Sequence, residues 1–185
     1  MIRPVRPEDG EELAALYGAN RDFLAPFEPI RPPEFFTGDG QRERLERQLA
    51  DETHPFAILD GDYIAGTINL FHIVRESLQS GTIGYWVDGP RNGRGIATGA
   101  VGEIVAYAFE DLDLHRVEAS TLVDNIASQR VLEKNDFERI GLARGFLRTP
   151  ATGATSISFS VWRTSADSRG AARPLRSRAS TARGA

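Results

Sequence analysis

The sequence contains no cysteine, a single lysine and only three histidines among its 185 residues. A chain without cysteine forms no disulfide, has no thiolate nucleophile and binds no metal through sulfur. The three histidines, His54, His72 and His115, lie far apart and lack the spacing of metal ligands. We therefore predict neither cysteine chemistry nor a metal site.

Long apolar runs are also absent. No stretch approaches the roughly 20 apolar residues of a membrane-spanning helix. Charged residues interrupt the first segment, MIRPVRPEDGEEL, where a signal peptide would be apolar. These features favour a cytoplasmic protein that does not contact a membrane. Because 41% of the residues are hydrophobic, the chain can build one core, and we expect one domain over residues 1–163.

The charge is unevenly distributed along the chain. Residues 164–185 carry five arginines and one acidic residue, whereas residues 1–163 carry 17 basic and 25 acidic side chains, a formal net charge of −8. An acidic body argues against DNA binding and favours a partner with a cationic amine. The tail has only one large apolar residue, so we predict that residues 164–185 are disordered. Two alternatives are open for this tail: it contacts ribosomal RNA, or it has no role.

Hydrophobic periodicity predicts the element order β, α, α, β, β, β, α, β, α, β, β. A hairpin signal at Asp60, Gly61 and Asp62 joins the first two of the three consecutive strands. Four prolines between residues 26 and 33 exclude a long helix in that segment. This order is typical of an α/β fold with a mixed sheet and helices on its faces.

A glycine-rich segment, GYWVDGPRNGRGIATGAV at residues 84–101, links a predicted strand to a predicted helix. Its glycines include Gly89, Gly93 and Gly95. Such a turn brings several backbone N–H groups and the positive end of the helix dipole to one point. The segment therefore predicts an anion site.

Two nucleotide-binding motifs fit this loop poorly. A P-loop would need Lys followed by Ser or Thr after its last glycine, where Ile96 and Ala97 stand, so we exclude it. The pattern G-x-G-x-x-x-G approaches a dinucleotide fingerprint, which should open a βαβ unit and have an acidic residue at the end of the next strand. That strand ends in Leu122 and Val123, and the loop follows three consecutive strands.

A second motif, DNIASQRVLEKNDF, occupies residues 124–137. Together the two segments resemble the GNAT acetyltransferase superfamily, whose pyrophosphate loop has the pattern Q/R-x-x-G-x-G/A and whose later segment has the pattern N-x-x-S-x-R-V-L-E-K-x-G-F. The resemblance implies a mainly antiparallel sheet of six to seven strands, splayed at the acetyl-CoA site and flanked by about four helices. The matching positions are Asn92, Gly95, Ala97, Asn125, Ser128, Arg130, Val131, Leu132, Glu133, Lys134 and Phe137.

The resemblance also implies acetyl-CoA as cosubstrate, with its pyrophosphate in the glycine loop. A backbone N–H near Val87 would polarise the thioester carbonyl. Asn92 replaces the usual Gln or Arg, but the N–H donors of the loop do not depend on side chains. The residues that the resemblance implies for acetyl-CoA binding are Val87, Asn92, Gly93, Arg94, Gly95, Ile96, Ala97, Thr98, Asn125, Ser128 and Arg130.

Residues 1–163 are similar to the ribosomal-protein alanine N-acetyltransferases of this superfamily. The similarity implies acetyl transfer to a primary amine, the N-terminal α-amine of a protein or peptide, by direct attack in a ternary complex. In other branches a tyrosine protonates the departing thiolate, but Leu132 occupies its position here. Ribosomal members use the serine of N-x-x-S instead, which implies Ser128 as the proton donor. The alternative is that Ser128 caps the short predicted helix.

No residue stands out as the general base. Glu118, on a predicted strand, is a candidate, and an ion pair with Arg116 is the alternative. An α-amine has a pKa of about 8 and is partly neutral at pH 7, so water can serve as the base. The side chains predicted to border the acceptor pocket are Phe27, Phe35, Phe36, Asn69 and Tyr85. The alternative for at least half of them is a place in the buried core.

Three functions remain open from the sequence. The acceptor is a protein α-amine or a small molecule such as an antibiotic or a polyamine, or the chain is a non-catalytic CoA-binding module. Ribosome association and the choice between monomer and homodimer are open as well.

Asp136 stands where the motif has glycine, so we expect a positive φ at Asn135 or Asp136, residue types that tolerate it.

Overall fold

The structure, a computed structural model, describes residues 1–147 and 154–163. The predicted disordered tail lies outside them, so the domain boundary after residue 163 stays a prediction. The strands are β1 (Ile2–Pro4), β2 (His54–Asp60), β3 (Tyr63–Val74), β4 (Ser80–Val87), β5 (Arg116–Leu122), β6 (Glu138–Leu147) and β7 (Ala154–Trp162). The helices are α1 (Gly10–Ala19), α2 (Arg21–Leu24), α3 (Gly38–Ala50), α4 (Ile96–Glu110) and α5 (Ile126–Glu133).

The predicted mixed α/β fold is confirmed, with one addition. The one-turn helix α2 follows α1 directly and is not foreseen by the periodicity. Between α2 and α3 the proline-rich segment forms only a single 3-10 turn, Pro33–Phe36, as the prolines predict. None of the helices in the described part of the chain has both the length and the apolar character needed to cross a bilayer.

The seven strands form one sheet in the order β1-β2-β3-β4-β5-β7-β6, and every neighbouring pair is antiparallel except β4 and β5. The parallel pairing of β4 with β5 runs from Ser80 opposite Arg116 only as far as Ile83 opposite Ala119. Both strands continue beyond these residues, β4 to Val87 and β5 to Leu122. The two strands therefore separate at their carboxyl ends, which is the predicted splay.

Two apolar layers hold the sheet between helices. On one face, Val101 and Ile104 of α4 and Leu132 of α5 are buried against the central strands. On the other face, Leu13 of α1 and Leu45 of α3 belong to a second buried cluster. The regular apolar spacing along α4 produces this burial, because residues three to four apart share one face of a helix. The splay of β4 and β5 thus opens between two helix layers.

Candidate active site

The loop between β4 and α4 depends on two glycines. Gly93 and Gly95 adopt φ values of +77° and +81°, and Gly95 directly precedes the first residue of α4. In this left-handed region a residue with a Cβ costs about 1 kcal/mol or more. Nothing lies within 4 Å of the position that a Cβ would take at either glycine. The glycines are therefore required by backbone conformation, and the space beside them is open.

The start of α4 presents unused backbone donors. The recorded hydrogen bonds of the first turn begin with Gly99 N–H, which donates to the carbonyl oxygen of Gly95 at 2.9 Å. Within the described residues, no acceptor is recorded for the N–H groups of residues 93–98. These donors lie on an exposed loop at the positive end of the α4 dipole, an arrangement that suits a phosphate group. The residues present thus fit the pyrophosphate of a CoA molecule.

Helix α5 begins at Ile126, and Asn125 caps it. Asn125 Oδ1 accepts a hydrogen bond from the N–H of Ser128 at 3.1 Å. The alternative in which Ser128 caps the helix is therefore wrong. Ser128 is the third helical residue, and the capping group is the amide oxygen of Asn125, which accepts the hydrogen bond from the Ser128 N–H. The Ser128 hydroxyl is left available for another contact.

The Ser128 hydroxyl contacts Tyr85 of β4. The distance between Ser128 Oγ and Tyr85 Oη is 2.9 Å, and Tyr85 Oη also lies 3.3 Å from the carbonyl oxygen of Ser128. Burial raises the pKa of Tyr85 to about 12, although the hydrogen bond between Tyr85 and Ser128 opposes this shift. The phenol is consequently neutral and carries its proton at physiological pH.

A cavity of about 140 Å³ fills the splay. It is bordered by residues of β4, β5 and α5 and by one aromatic side chain from the segment after α2. None of these described residues carries a formal charge at neutral pH, so the cavity wall is apolar or hydroxylic. The lining residues are Phe27, Ile83, Gly84, Tyr85, Ala119, Ser120, Thr121, Leu122, Asn125, Ser128 and Leu132.

The backbone of Val87 completes the site. Asp88 N–H donates to Ala65 of β3 at 2.8 Å. Because successive N–H groups of a strand point to alternate sides, the N–H of Val87 points away from β3, toward the splay. The site thus combines a glycine loop at a helix N-terminus, a splayed sheet and a serine above the splay. Residues 1–138 match the family described as acetyltransferase (GNAT) domain. The chain belongs to the GNAT acetyltransferase family.

The resemblance to this family is thereby confirmed, and the protein is a GNAT N-acetyltransferase. The probable N-acetyltransferase YjcK of Bacillus subtilis is 44% identical over 149 residues, which cover 77% of this chain and 82% of that protein. The ribosomal-protein-S5-alanine acetyltransferase of Vibrio fischeri has a similar structure, with a TM-score of 0.83, 29% identity and coverage of 87% of this chain and 91% of that chain. Mycobacterium smegmatis RimJ in complex with CoA-disulfide gives a TM-score of 0.82 with 27% identity, covering 87% and 80% of the two chains.

In this GNAT enzyme the glycine loop is tied to the end of β2. Asp60 accepts hydrogen bonds from Arg91 and Arg94, with 2.7 Å between Arg94 Nη1 and Asp60 Oδ2. The hydrogen bond from Arg94, and then that from Arg91, lowers the pKa of Asp60 against the opposing effect of burial. Arg94, predicted to bind the cosubstrate, is thus engaged by Asp60 in this structure. No local pattern predicts this contact, because 34 residues separate Asp60 from Arg94.

The opposite end of the same loop is also anchored. Asn20, buried between α1 and α2, accepts a hydrogen bond from the N–H of Gly89 at 2.9 Å and donates one to Asp88 at 2.8 Å. Asp88 in turn lies 3.2 Å from Arg91. The loop is therefore fixed to both the β2–β3 hairpin and the first helix, which favours preorganisation of its N–H donors.

Glu118 is not brought to the splay. It lies opposite Thr82 in the paired part of β5, and its carboxylate is 3.3 Å from Arg116. The ion pair that was the alternative for Glu118 is thus present, and Glu118 does not line the cavity. The structure gives no support for Glu118 as the base that accepts a proton from the amine.

The predicted acceptor residues divide into three groups. Phe27 and Tyr85 line the cavity in the splay. Phe35 is buried and Phe36 half-buried, and both border a separate cavity of about 200 Å³ beside α1. Asn69 of β3 lies opposite Gly84 in the sheet but does not line the splay cavity. The side chains of Asn92 and Arg130 are exposed, on the glycine loop and on α5.

Proposed function

We propose that the protein transfers the acetyl group of acetyl-CoA to the N-terminal α-amine of a protein or peptide, by direct attack in a ternary complex. The observation that carries this proposal is the uncharged cavity in the splay, with Ser128 on its wall and the N–H of Val87 directed toward it. The 29% identity to a ribosomal-protein-S5-alanine acetyltransferase supports the choice of acceptor. The net charge of −8 over residues 1–163 suits a cationic amine.

The binding step relies on backbone groups. The N–H groups of residues 93–98 bind the pyrophosphate of the cosubstrate, and the α4 dipole adds to their attraction. The exposed side chains of Asn92 and Arg130 supply further polar contacts to the same molecule. Asn125 keeps α5, and with it Ser128, at the edge of the splay.

The cavity brings amine and thioester together. Helix α5 covers one face of the splay, and Phe27 reaches the cavity from the segment after α2. We assign the α5 side to the acetyl thioester and the Phe27 side to the amine. Holding the two reactants in line accelerates their reaction, because the entropy of association is lost on binding and not in the chemical step.

The chemical step forms a C–N bond and breaks a C–S bond. The amine nitrogen attacks the thioester carbonyl carbon, and the N–H of Val87 donates to the oxygen on which negative charge develops. When the C–S bond breaks, Ser128 gives its proton to the departing sulfur. The nitrogen releases one proton to water, since an α-amine with a pKa of about 8 does not need a strong base.

A screen of acceptors tests this proposal through release of CoA. Peptides that begin with Ala, Ser or Thr should release CoA at a rate that saturates with peptide, and the same peptides with an acetylated N-terminus should give none. Turnover with polyamines or aminoglycosides but not with peptides would replace the protein acceptor by a small molecule. Binding of acetyl-CoA without turnover on any amine would indicate a non-catalytic module.

A further inference from the structure

The contact between Tyr85 and Ser128 spans the opening of the splay. Tyr85 belongs to β4 and Ser128 to α5, and 43 residues separate them in the sequence. The tyrosine ring packs against the apolar layer under α4 and α5. Its hydroxyl therefore has a fixed place on the cavity wall, set by the sheet and not by a loop.

The two hydroxyls share one hydrogen bond. Each has one proton, and a serine oxygen can accept while its own proton points elsewhere. The distance from Tyr85 Oη to Ser128 Oγ is 2.9 Å, and the distance to the Ser128 carbonyl oxygen is 3.3 Å. Either hydroxyl can donate across the 2.9 Å contact, and in one of the two arrangements Tyr85 is the donor and Ser128 Oγ the acceptor. In this arrangement the proton of Ser128 is free to point into the cavity.

Tyr85 is the one described side chain on the cavity wall that contacts the Ser128 hydroxyl. The lining includes three further polar residues, Ser120, Thr121 and Asn125. The amide oxygen of Asn125 already accepts the N–H of Ser128, and none of the three has a recorded hydrogen bond to Ser128 Oγ. Tyr85 is thus the hydroxyl partner of Ser128 within the described part of the chain.

We propose that Tyr85 is a positioning residue that turns the Ser128 proton toward the departing sulfur and replaces that proton as it leaves. This inference rests on the proposed role of Ser128. As the C–S bond breaks, the Ser128 O–H bond breaks and an S–H bond forms. The Tyr85 O–H bond then breaks, the Ser128 O–H bond forms again, and the phenolate recovers a proton from water.

A double-mutant cycle tests the coupling. Ser128→Ala should lower kcat about a hundredfold, at the lower end of general-acid effects. Tyr85→Phe should lower kcat about tenfold, the effect of one hydrogen bond, with the KM for acetyl-CoA within about twofold of wild type. The double variant should be no slower than Ser128→Ala alone. Tyr107→Phe is the matched control and should keep wild-type kcat. Tyr107 lies on α4, outside the cavity, and its hydroxyl is hydrogen-bonded to His54 of β2.

The outcomes distinguish failure of the proposed role of Ser128 from failure of the inference about Tyr85. Wild-type kcat in Ser128→Ala would overturn the proposed role of Ser128 and the inference with it. A slow Ser128→Ala together with wild-type kcat in Tyr85→Phe would overturn the inference alone. A double variant slowed by the product of the two single effects would do the same, since independent residues give additive free energies.

A second measurement applies even if Tyr85→Phe folds poorly. Replacing Tyr85 by 3,5-difluorotyrosine keeps the ring and the hydroxyl but lowers the pKa of the phenol. Because burial raises the pKa of Tyr85 to about 12, the wild-type phenol stays protonated to high pH. The fluorinated enzyme should therefore lose kcat at a lower pH than wild type. Identical pH profiles would overturn the inference, because a purely structural tyrosine does not link its ionisation to turnover.

Discussion

The side-chain amide of Asn135 donates a hydrogen bond to the carbonyl oxygen of Thr98 at 3.2 Å, and a second to the carbonyl oxygen of Val131 at 2.9 Å. The first bond joins the end of α5 to the first turn of α4. Thr98 carries one of the N–H groups proposed to bind pyrophosphate, and α5 carries Ser128. Asn135 thus connects the two motifs on which the site depends.

Asn135→Ala should destabilise the protein by about 1 kcal/mol, because it removes two hydrogen bonds at a partly buried position. We expect the KM for acetyl-CoA to rise severalfold, since α4 and α5 lose their link. Thermal unfolding and steady-state kinetics measure the two effects. Glu133→Ala, at an exposed position of α5, is the control. An Asn135→Ala protein as stable as this control would contradict the role given to the amide.

Asp136→Gly should stabilise the protein. Asp136 has φ of +61°, as expected from its place in the motif, and glycine adopts this conformation without the strain of a Cβ. The gain should be about 0.5–1 kcal/mol, visible as a higher Tm. Asp111→Gly is the matched control, because φ at Asp111 is −92°, and it should not stabilise. A lower Tm for Asp136→Gly than for wild type would contradict the expectation.

Asp9 should contribute to stability in a pH-dependent manner. Burial raises the pKa of its carboxyl, but the hydrogen bonds from Arg3 and from the N–H of Arg6 outweigh burial and lower the pKa below its usual 3.8. A lowered pKa in the folded state means that this stability is present above about pH 4 and is lost as the pH falls through the folded pKa. Chemical denaturation between pH 2 and pH 7 follows this loss.

Asp9→Asn removes the carboxyl group whose protonation causes this loss of stability. The variant should lose about 1–3 kcal/mol at pH 7, since the hydrogen bonds to a charged partner are weakened. It should also show a smaller decline in stability than wild type as the pH falls below 4. Glu8→Gln, at an exposed neighbouring position, is the control. If Asp9→Asn lost as much stability as wild type below pH 4, this assignment would be contradicted.

Deletion of residues 164–185 should leave folding and acetyl-CoA binding intact. The tail has one large apolar residue, so we expect the surface that it can bury to be too small to offset the entropy of ordering it. The Tm should change by no more than a few degrees, and the affinity for acetyl-CoA should stay within about twofold. A larger fall in Tm would mean that the tail packs on the domain.

Much of the fold follows from local patterns in the sequence. The apolar spacing of α4, the hairpin signal at Gly61 and the glycine loop each depend on neighbouring residues, and the structure confirms the elements that they predict. Helix α3 shows the limit of the pattern. Leu49, although apolar, is 46% exposed, whereas Gln41 is fully buried and donates to the carbonyl oxygen of Phe35. A polar side chain that finds a backbone partner can occupy a core position.

The site was harder to predict than the fold. The motifs located Ser128 and the glycine loop, but not what contacts them. The partner of Ser128 is Tyr85, and the partner of Arg94 is Asp60, each pair more than 30 residues apart in the sequence. Such contacts depend on the register of the sheet and on the angle of α5, which no local pattern specifies.

Calorimetric titration of acetyl-CoA into three proteins tests the central claim most directly. Wild type should bind one acetyl-CoA per chain, and Gly18→Glu, which adds the same charge at an exposed, open position of α1, should bind equally well. Gly95→Glu should show no binding, because it places a side chain in a left-handed conformation and a negative charge among the N–H donors of residues 93–98. A folded Gly95→Glu protein that binds acetyl-CoA with wild-type affinity would contradict the account.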